Sequence, residues 1–268
     1  MKNLIKNKVS KIITRHPILY YIRYLLISKN HNQKCSDNIG CFNDSNSIED
    51  VPLLFFEINK KINLPSSLDE FDKAILIANY LNKNSKAGQG LGLSSKITLE
   101  KLINGKGGVC SDFSLLFSVF CLINNIKVKE WGCTDKLYKS EFGHSFNEIY
   151  STKQSKWIAI DSQKGIYFIN NQMTPLSTIE LFEYLRLGND LEYILFSVYN
   201  PKNIVRLNSV YSKITIPFII NNYNLKINDY YLDKYQNKYP LLLINILLIL
   251  KRKNHNFIFI LDNYKKRL

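Results

Sequence analysis

The stretch GKGGVCSDFSLLF, residues 105–117, delivers one thiol, Cys110, from a run of glycines onto the head of a segment that is apolar almost all round. A cysteine thiol is mostly protonated at neutral pH, and only its thiolate attacks well. A neighbouring imidazole shifts that balance. So does the N-terminal end of a helix, whose free N–H groups favour negative charge. The chain has four histidines. His16 lies in a basic N-terminal segment, His31 in a polar stretch and His255 in KRKNHNF near the end, which leaves His144, in GHSFNEIY, as the histidine within the core. A Cys–His pair also needs a third group to hold the imidazole in the right tautomer. The segment KWIAID ends on such a group, Asp161, with Trp157 and Ala159 on the same side of the strand. Each residue has a plainer reading: a buried filler cysteine, a structural strand histidine, a turn-forming aspartate. Together they could also serve as a thiol, its base and an orienting carboxylate.

The elements around them have the periods needed to position such a set. SSLDEFDKAILIANYLNKN has a cap-like serine, early acidic residues and apolar positions at Phe71, Ile75, Ala78 and Leu81, which predicts a helix. A short helix is expected from about Thr98, before the glycines. Phe113, Leu116, Phe117, Phe120 and Cys121 share one helical face, and Leu115, Val119 and Leu122 make the other sides apolar too, so the helix that starts near Cys110 should be buried centrally. The period then changes. IKVKEWGC, HSFNEIY, KWIAID and GIYFIN read as consecutive antiparallel strands behind that helix, an α+β layout, followed by a helix over about 177–187.

The three blocks GGVCSDFSLLFSVFCLINNIKV, GHSFNEIY and KWIAIDSQ resemble those of the transglutaminase-like superfamily of papain-fold cysteine enzymes. The matching residues are Gly108 and Cys110, then His144 with Asn147 and Glu148, then Trp157 and Asp161, within about residues 69–170. The resemblance implies a papain-like core in which a central buried helix carries the cysteine and packs on an antiparallel sheet carrying the histidine and aspartate. It implies Cys110 as nucleophile, His144 as general base and then acid, and Asp161 as the orienting carboxylate, without a cofactor or metal. The backbone N–H of Cys110 is the natural first oxyanion donor. Asn104 and Gln89 are candidates for the second, and Trp157 stands beside the triad. Ser111 and Asp112 replace the aromatic residue that often follows the nucleophile in transglutaminases proper, which favours hydrolysis of protein or peptide substrates over cross-linking. The alternative is a non-catalytic module of the same fold that docks to a membrane surface or a protein partner.

At 268 residues, 46% hydrophobic, the chain has ample material for a core. Its formal charge of +14 comes mostly from lysine, with no stripe of alternating basic and aromatic residues, so nucleic acid is not the expected partner. Residues 1–28 read as a basic amphipathic helix with Leu4, Ile12, Leu19, Ile22 and Leu26 on its apolar side, able to dock on a membrane or partner or to pack on its own domain. Residues 29–50 read as a polar linker. The expected division is therefore 1–50 for helix and linker, 51–187 for the transglutaminase-like core and 188–268 for an α/β extension. Pro17 and Arg23 interrupt any signal-like run, PLLLINILLIL falls short of the roughly 20 residues a membrane span needs, and the five cysteines are irregularly spaced. A cytoplasmic setting with reduced thiols is the expectation. His31, Cys35 and Cys41 are too irregular for a zinc site, and GKGG lacks the spacing of a phosphate-binding loop.

Overall fold

The computed structural model describes residues 17–31, 39–85, 88, 90–137, 143–197 and 207–266. Helix α1 (Pro17–Ile27) opens on a proline, whose fixed φ suits a first helical turn, and runs into the short strand β1 (Ser28–Asn30). The one-turn helix α2 (Phe42–Ser45) and helix α3 (Leu53–Ile62) lead to α4 (Glu70–Lys83). The cap of α4 is Asp69 rather than a serine; its carboxylate accepts the Asp72 N–H at 2.9 Å. Helix α5 (Ser95–Ile103) ends at the glycine turn, and α6 (Cys110–Ile123) follows it. As its all-round apolar pattern predicts, α6 is buried on every side, with Phe113, Leu116, Phe117, Val119, Phe120 and Cys121 withdrawn from solvent. Each such large side chain contributes roughly 1.5–3 kcal/mol by leaving water.

Strands β2 (Val128–Thr134), β3 (His144–Ser151), β4 (Lys156–Asp161) and β5 (Ile166–Ile169) pair antiparallel in sequence. Helix α7 (Thr178–Arg186) and strand β6 (Glu192–Leu195) come next. After α8 (Leu207–Val210), the chain returns as β7 (Ile216–Asn221), α9 (Leu225–Tyr235), α10 (Leu241–Leu250) and β8 (Asn256–Phe259). All the strands lie in one sheet, in the order β1-β8-β7-β2-β3-β4-β5-β6, with β1 parallel to β8. The three segments read from the sequence thus share a single sheet: β1 from the first, β2–β5 from the second, β6–β8 from the third.

This arrangement explains why β2 is buried at every position although its sequence alternates. Helix α6 covers one face of β2 and β3, with Phe120, Val128, Ile149 and Ile158 in one core cluster. Trp131, Phe146, Phe168, Phe182 and Tyr211 fill a second cluster on the other face. Against β7, Gly132 leaves room for the Phe218 ring: a Cβ there would sit 2.4 Å from Phe218 Cε2.

Two expectations for the N-terminal region are corrected. The segment read as a linker is packed from residue 39 onward: Cys41 bridges Lys129, and the Asn43 side chain accepts the Val128 N–H at 3.0 Å and donates to Ile126 O at 3.1 Å. Its asparagines satisfy backbone groups, which is why a polar sequence can still fold onto the core. Helix α1 packs on its own sheet through Tyr24 and Ile27, beside Phe218, Phe257 and Phe259. Ile22 and Leu26, read as part of its apolar side, take no part in this packing and are exposed at 43% and 63%. Leu4 and Ile12 lie outside the described residues. Among the described residues no helix is long and apolar enough to cross a membrane.

Candidate active site

Gly107 and Gly108 have φ of 101° and 152°, a region that disfavours any Cβ, and they steer the chain tightly into α6. Gly108 O accepts the Gly88 N–H at 3.3 Å, which lays that loop beside the turn. Cys110 is the first residue of α6, and the Cys110 and Ser111 N–H groups have no helical carbonyl one turn back to bond, whereas the Asp112 N–H donates to Val109 O at 3.0 Å. The Asp112 carboxylate closes the turn by accepting the N–H groups of Val109 (2.9 Å) and Leu91 (3.1 Å). Burial holds the Asp112 pKa above its ordinary value despite these bonds. The acidic side chain two residues after Cys110 is therefore occupied with backbone and pins residue 91 against the helix start.

His144 stands at the head of β3, opposite Cys133 on β2. The β3–β4 register pairs Asn147 with Ile160, and one further step sets Asp161 beside Phe146, two residues from His144 on the same face. That diagonal relation brings the side chains together. His144 Nε2 and Asp161 Oδ2 are 2.6 Å apart, with Asp161 fully buried and His144 7% exposed. Asp161 Oδ2 also accepts the Tyr211 hydroxyl at 2.8 Å, and Oδ1 accepts the Lys164 N–H at 2.9 Å. The imidazole lies edge-on to the Tyr211 ring, 5.8 Å between centroids. Cys110 hydrogen-bonds the same imidazole and accepts the Ser145 backbone N–H. With Nε2 committed to Asp161, the ring turns its other edge to the sulfur.

Burial disfavours every charge in this set. It pushes the His144 imidazolium down, but the Asp161 carboxylate and the Cys110 thiolate outweigh it and hold the ring up at about 10. Burial likewise raises the Cys110 thiol, and the adjacent imidazolium brings it below its ordinary value. For Asp161 burial again opposes ionisation, and His144, with the bonds from Lys164 and Tyr211, keeps the carboxyl below its usual range. The shifts thus all run toward a thiolate, an imidazolium and a carboxylate, each charge favoured by its neighbour. The neighbouring Cys133 has no such support: burial pushes its thiol well up.

Cys110, His144 and Asp161 are therefore brought together, and the other sequence candidates are not. Asn104 is exposed at the end of α5, with its amide donating to Glu100 O at 2.8 Å, the ordinary role of a helix-terminal asparagine. Gln89 lies outside the described residues. Trp157 shares the strand face of Asp161 but packs elsewhere: Lys129 Nζ sits 3.8 Å from its ring centroid and Tyr150 lies edge-on at 5.4 Å. Asn147 and Glu148 tie elements together. Asn147 donates to Ser114 O (3.2 Å) and Ser118 Oγ (3.0 Å) on α6, while Glu148 accepts from Trp131 Nε1 (3.0 Å) and the Thr178 N–H (2.7 Å) at the start of α7. Sequence reasoning missed Tyr211 and the backbone donors of Lys164 and Ser145. Nothing in NSVYSKITI marks Tyr211, and backbone donors leave no residue-type signal.

Residues 58–162 match the family model of the Transglutaminase-like superfamily, so this segment carries a transglutaminase-like core. The α+β fold, a cysteine-bearing helix on an antiparallel sheet, is that of the papain-like and transglutaminase-like enzymes. A solved structure of a provisionally assigned cysteine protease from Cytophaga hutchinsonii is also similar, at 19% identity and a TM-score of 0.32, over 41% of this chain and 37% of that one. The chain thus spans little more than a third of that structure. No curated protein matches at a significant level.

Proposed function

We propose that this chain is a cysteine enzyme that cleaves amide or peptide bonds through a thioester. One observation carries the reading: a single buried imidazole is bonded at one edge to a fully buried carboxylate and at the other to a thiol on a helix N-terminus. In this mechanism the Cys110 thiolate attacks the substrate carbonyl, and the C–S bond forms as the carbonyl electrons move to oxygen. The N-terminal N–H groups of α6, that of Cys110 among them, stabilise the oxyanion. His144 then gives its proton to the departing amine as the C–N bond breaks, leaving an acyl-thioester. Water, deprotonated by the now neutral His144, attacks that thioester, and the acid and the Cys110 thiolate–imidazolium pair are regenerated. Asp161 keeps the imidazole oriented throughout. An amine in place of water would make the same step a transamidation. The free thiols of Cys41, Cys110, Cys121 and Cys133 suit a reducing compartment such as the cytoplasm.

The test is the pH dependence of Cys110 alkylation by iodoacetamide, followed by peptide mass spectrometry, in the wild type and in His144→Ala. Rapid labelling near pH 7 that slows at least tenfold in the variant supports the pair. Slow labelling in both, rising only near the pKa of an ordinary thiol, refutes it.

A second reading rests on a different surface. Exposed Ile22, Leu25 and Leu26 on α1 and exposed Leu243, Ile246 and Leu250 on α10 present apolar side chains. Leu26, Ile249, Lys29, Arg252 and Lys253 line one shared depression. Apolar groups ringed by cations suit an anionic lipid surface. Co-sedimentation with phosphatidylserine vesicles, reduced by Leu26→Asp and absent with phosphatidylcholine alone, is the expected result; equal binding to both vesicles would remove this reading. Docking of this kind needs no chemistry at Cys110, so Cys110→Ala separates it from the enzyme.

A further inference from the structure

A cleft of about 370 Å³ reaches Ser145, whose backbone N–H meets the Cys110 sulfur, without Cys110 or His144 themselves in its wall. Ser111 and Ser145, the residues that follow Cys110 and His144 in the chain, both line it, so a substrate held over the sulfur has this space next to it. Much of the lining is apolar, with Ile220 on β7, Leu232 on α9 and Ile244 and Leu248 on α10. These four lie beyond residues 58–162, so this part of the wall is built by the chain's own C-terminal segment. The volume is within the range of pockets that enclose one substrate group.

Among these apolar walls stands one carboxyl, Glu130 on β2, itself 6% exposed. Ser114 is its hydrogen-bonding side chain, and among the described residues neither lysine nor arginine lines the cleft. The other acidic lining residue, Asp112, is already spent on the N–H groups of Val109 and Leu91. His255 also lines the cleft, packed against the rings of Tyr223 and Phe257. Burial pushes the Glu130 carboxyl up to about 8, the signature of a site that holds an acid without a cation beside it. In a chain of formal charge +14, a space whose described lining carries buried acid and no lysine or arginine selects by charge.

Building on the function proposed above, we infer that this cleft is the specificity subsite, and that it takes a long side chain with an apolar stem and a cationic end, such as lysine, from the substrate residue whose carbonyl Cys110 attacks. The methylenes lie along Ile220, Leu232, Ile244 and Leu248, and the ammonium meets Glu130. An anionic side chain would bring a second acid into the same apolar space, and a purely aliphatic one would bring the carboxyl no partner, so that it keeps its proton and gives no charge pairing.

The experiment uses the full chain and three peptidyl acyloxymethyl ketones that differ only in the side chain beside the reactive carbonyl: lysine, norleucine or glutamate. The thiolate displaces the carboxylate leaving group, a C–S bond replacing a C–O bond, and intact mass spectrometry gives the second-order rate. In the wild type the lysine probe should react at least tenfold faster than norleucine, with glutamate slowest. In Glu130→Gln the lysine-to-norleucine ratio should fall to near one. Asn245→Arg, which puts a cation on the half-buried part of the lining, should lower the same ratio independently. A wild-type ratio of one or less, or a ratio unchanged in both variants, overturns the inference. Iodoacetamide, which has no side chain to place, separates the two levels. Fast, His144-dependent iodoacetamide labelling with a flat probe panel removes the subsite alone. Iodoacetamide labelling that is slow and indifferent to His144 removes the proposed function and the subsite with it.

Discussion

Replacing Asp161 by Asn keeps the shape of the side chain and exchanges one acceptor for a donor. Lys164 N–H, a backbone group that cannot turn, faces Oδ1 at 2.9 Å, so the Asn oxygen is held there. The new NH2 then faces His144 Nε2, where 2.6 Å now separates donor and acceptor, and the Tyr211 hydroxyl, which can rotate to accept. An imidazole can no longer keep a proton on Nε2, and the neutral ring must carry it on the edge toward Cys110. The charge that held His144 near 10 rather than its ordinary 6.5 is lost in its larger part. Burial continues to push the Cys110 thiol up, so without an imidazolium it titrates at or above its ordinary 9.0. Two pH units below 9.0 about 1% of such a thiol is thiolate, so against a fully ionised thiol the reactive fraction at pH 7 falls by about 100-fold or more. A more basic thiolate is intrinsically the better nucleophile, with a Brønsted slope of about 0.4–0.5, so a fall of about 10- to 100-fold is expected. Iodoacetamide rates from pH 5 to 9 read it directly: the variant should gain nearly tenfold per pH unit where the wild type is nearly flat. NMR of ¹⁵N-labelled imidazole should report the changed tautomer. A variant within about threefold of the wild type at pH 7, with a flat profile, would refute the claim that Asp161 sustains the charged pair.

Tyr211→Phe removes one of the donors to Asp161 and should cost about 1.5–3 kcal/mol in urea unfolding, with only a severalfold drop in alkylation, because the His144–Asp161 bond remains. Glu130, held near 8 above its ordinary 4.5, binds its proton more tightly folded than unfolded, so the wild type loses stability as pH rises from about 4.5 to about 8. Glu130→Gln has no proton to lose. It should match the wild type near pH 5 and exceed it by on the order of 2–5 kcal/mol at pH 9, measured by urea midpoints at both pH values. Gly132→Ala drives a methyl into the Phe218 ring, itself fixed by Phe257 and Phe259, and should cost about 1–3 kcal/mol in thermal unfolding.

The elements that hold the site were legible where a period ran long enough. The apolar pattern from Phe113 to Leu122 gave α6 and its central burial, and the short alternating runs gave β2, β3 and β4. Cys110 and His144 stood out because their types are rare in the chain, and Asp161 because, like them, it sits at the end of an element. Tyr211 did not, since its role depends on a turn 50 residues beyond Asp161 that no local pattern announces. The face of α1 was misread for a related reason. PILYYIRYLLI is apolar on several sides, so periodicity cannot choose among them, and the contact with Phe218, Phe257 and Phe259 selects Tyr24 and Ile27. The pairing of Ser28 with Phe257 joins the two ends of the described chain, a relation with no trace in local sequence.

That sheet order also has a consequence for how the protein is made. The thiol, imidazole and carboxylate all leave the ribosome by residue 161, but the far edge of β2 is paired by Ile216–Asn221, and β8 with β1 closes only once Phe259 has emerged. Until then a nascent chain exposes the unpaired edge of a strand that is buried along its whole length in the finished protein, a template for wrong partners. Pairings so distant in sequence are slow to form, because loop closure must come before any contact rewards it. Cys110 is therefore synthesised well before the cleft walls that Ile220, Leu232, Ile244 and Leu248 build. A chain stopped at the end of the family match would hold Cys110, His144 and Asp161 with more than half of the cleft lining missing and a raw sheet edge in its place.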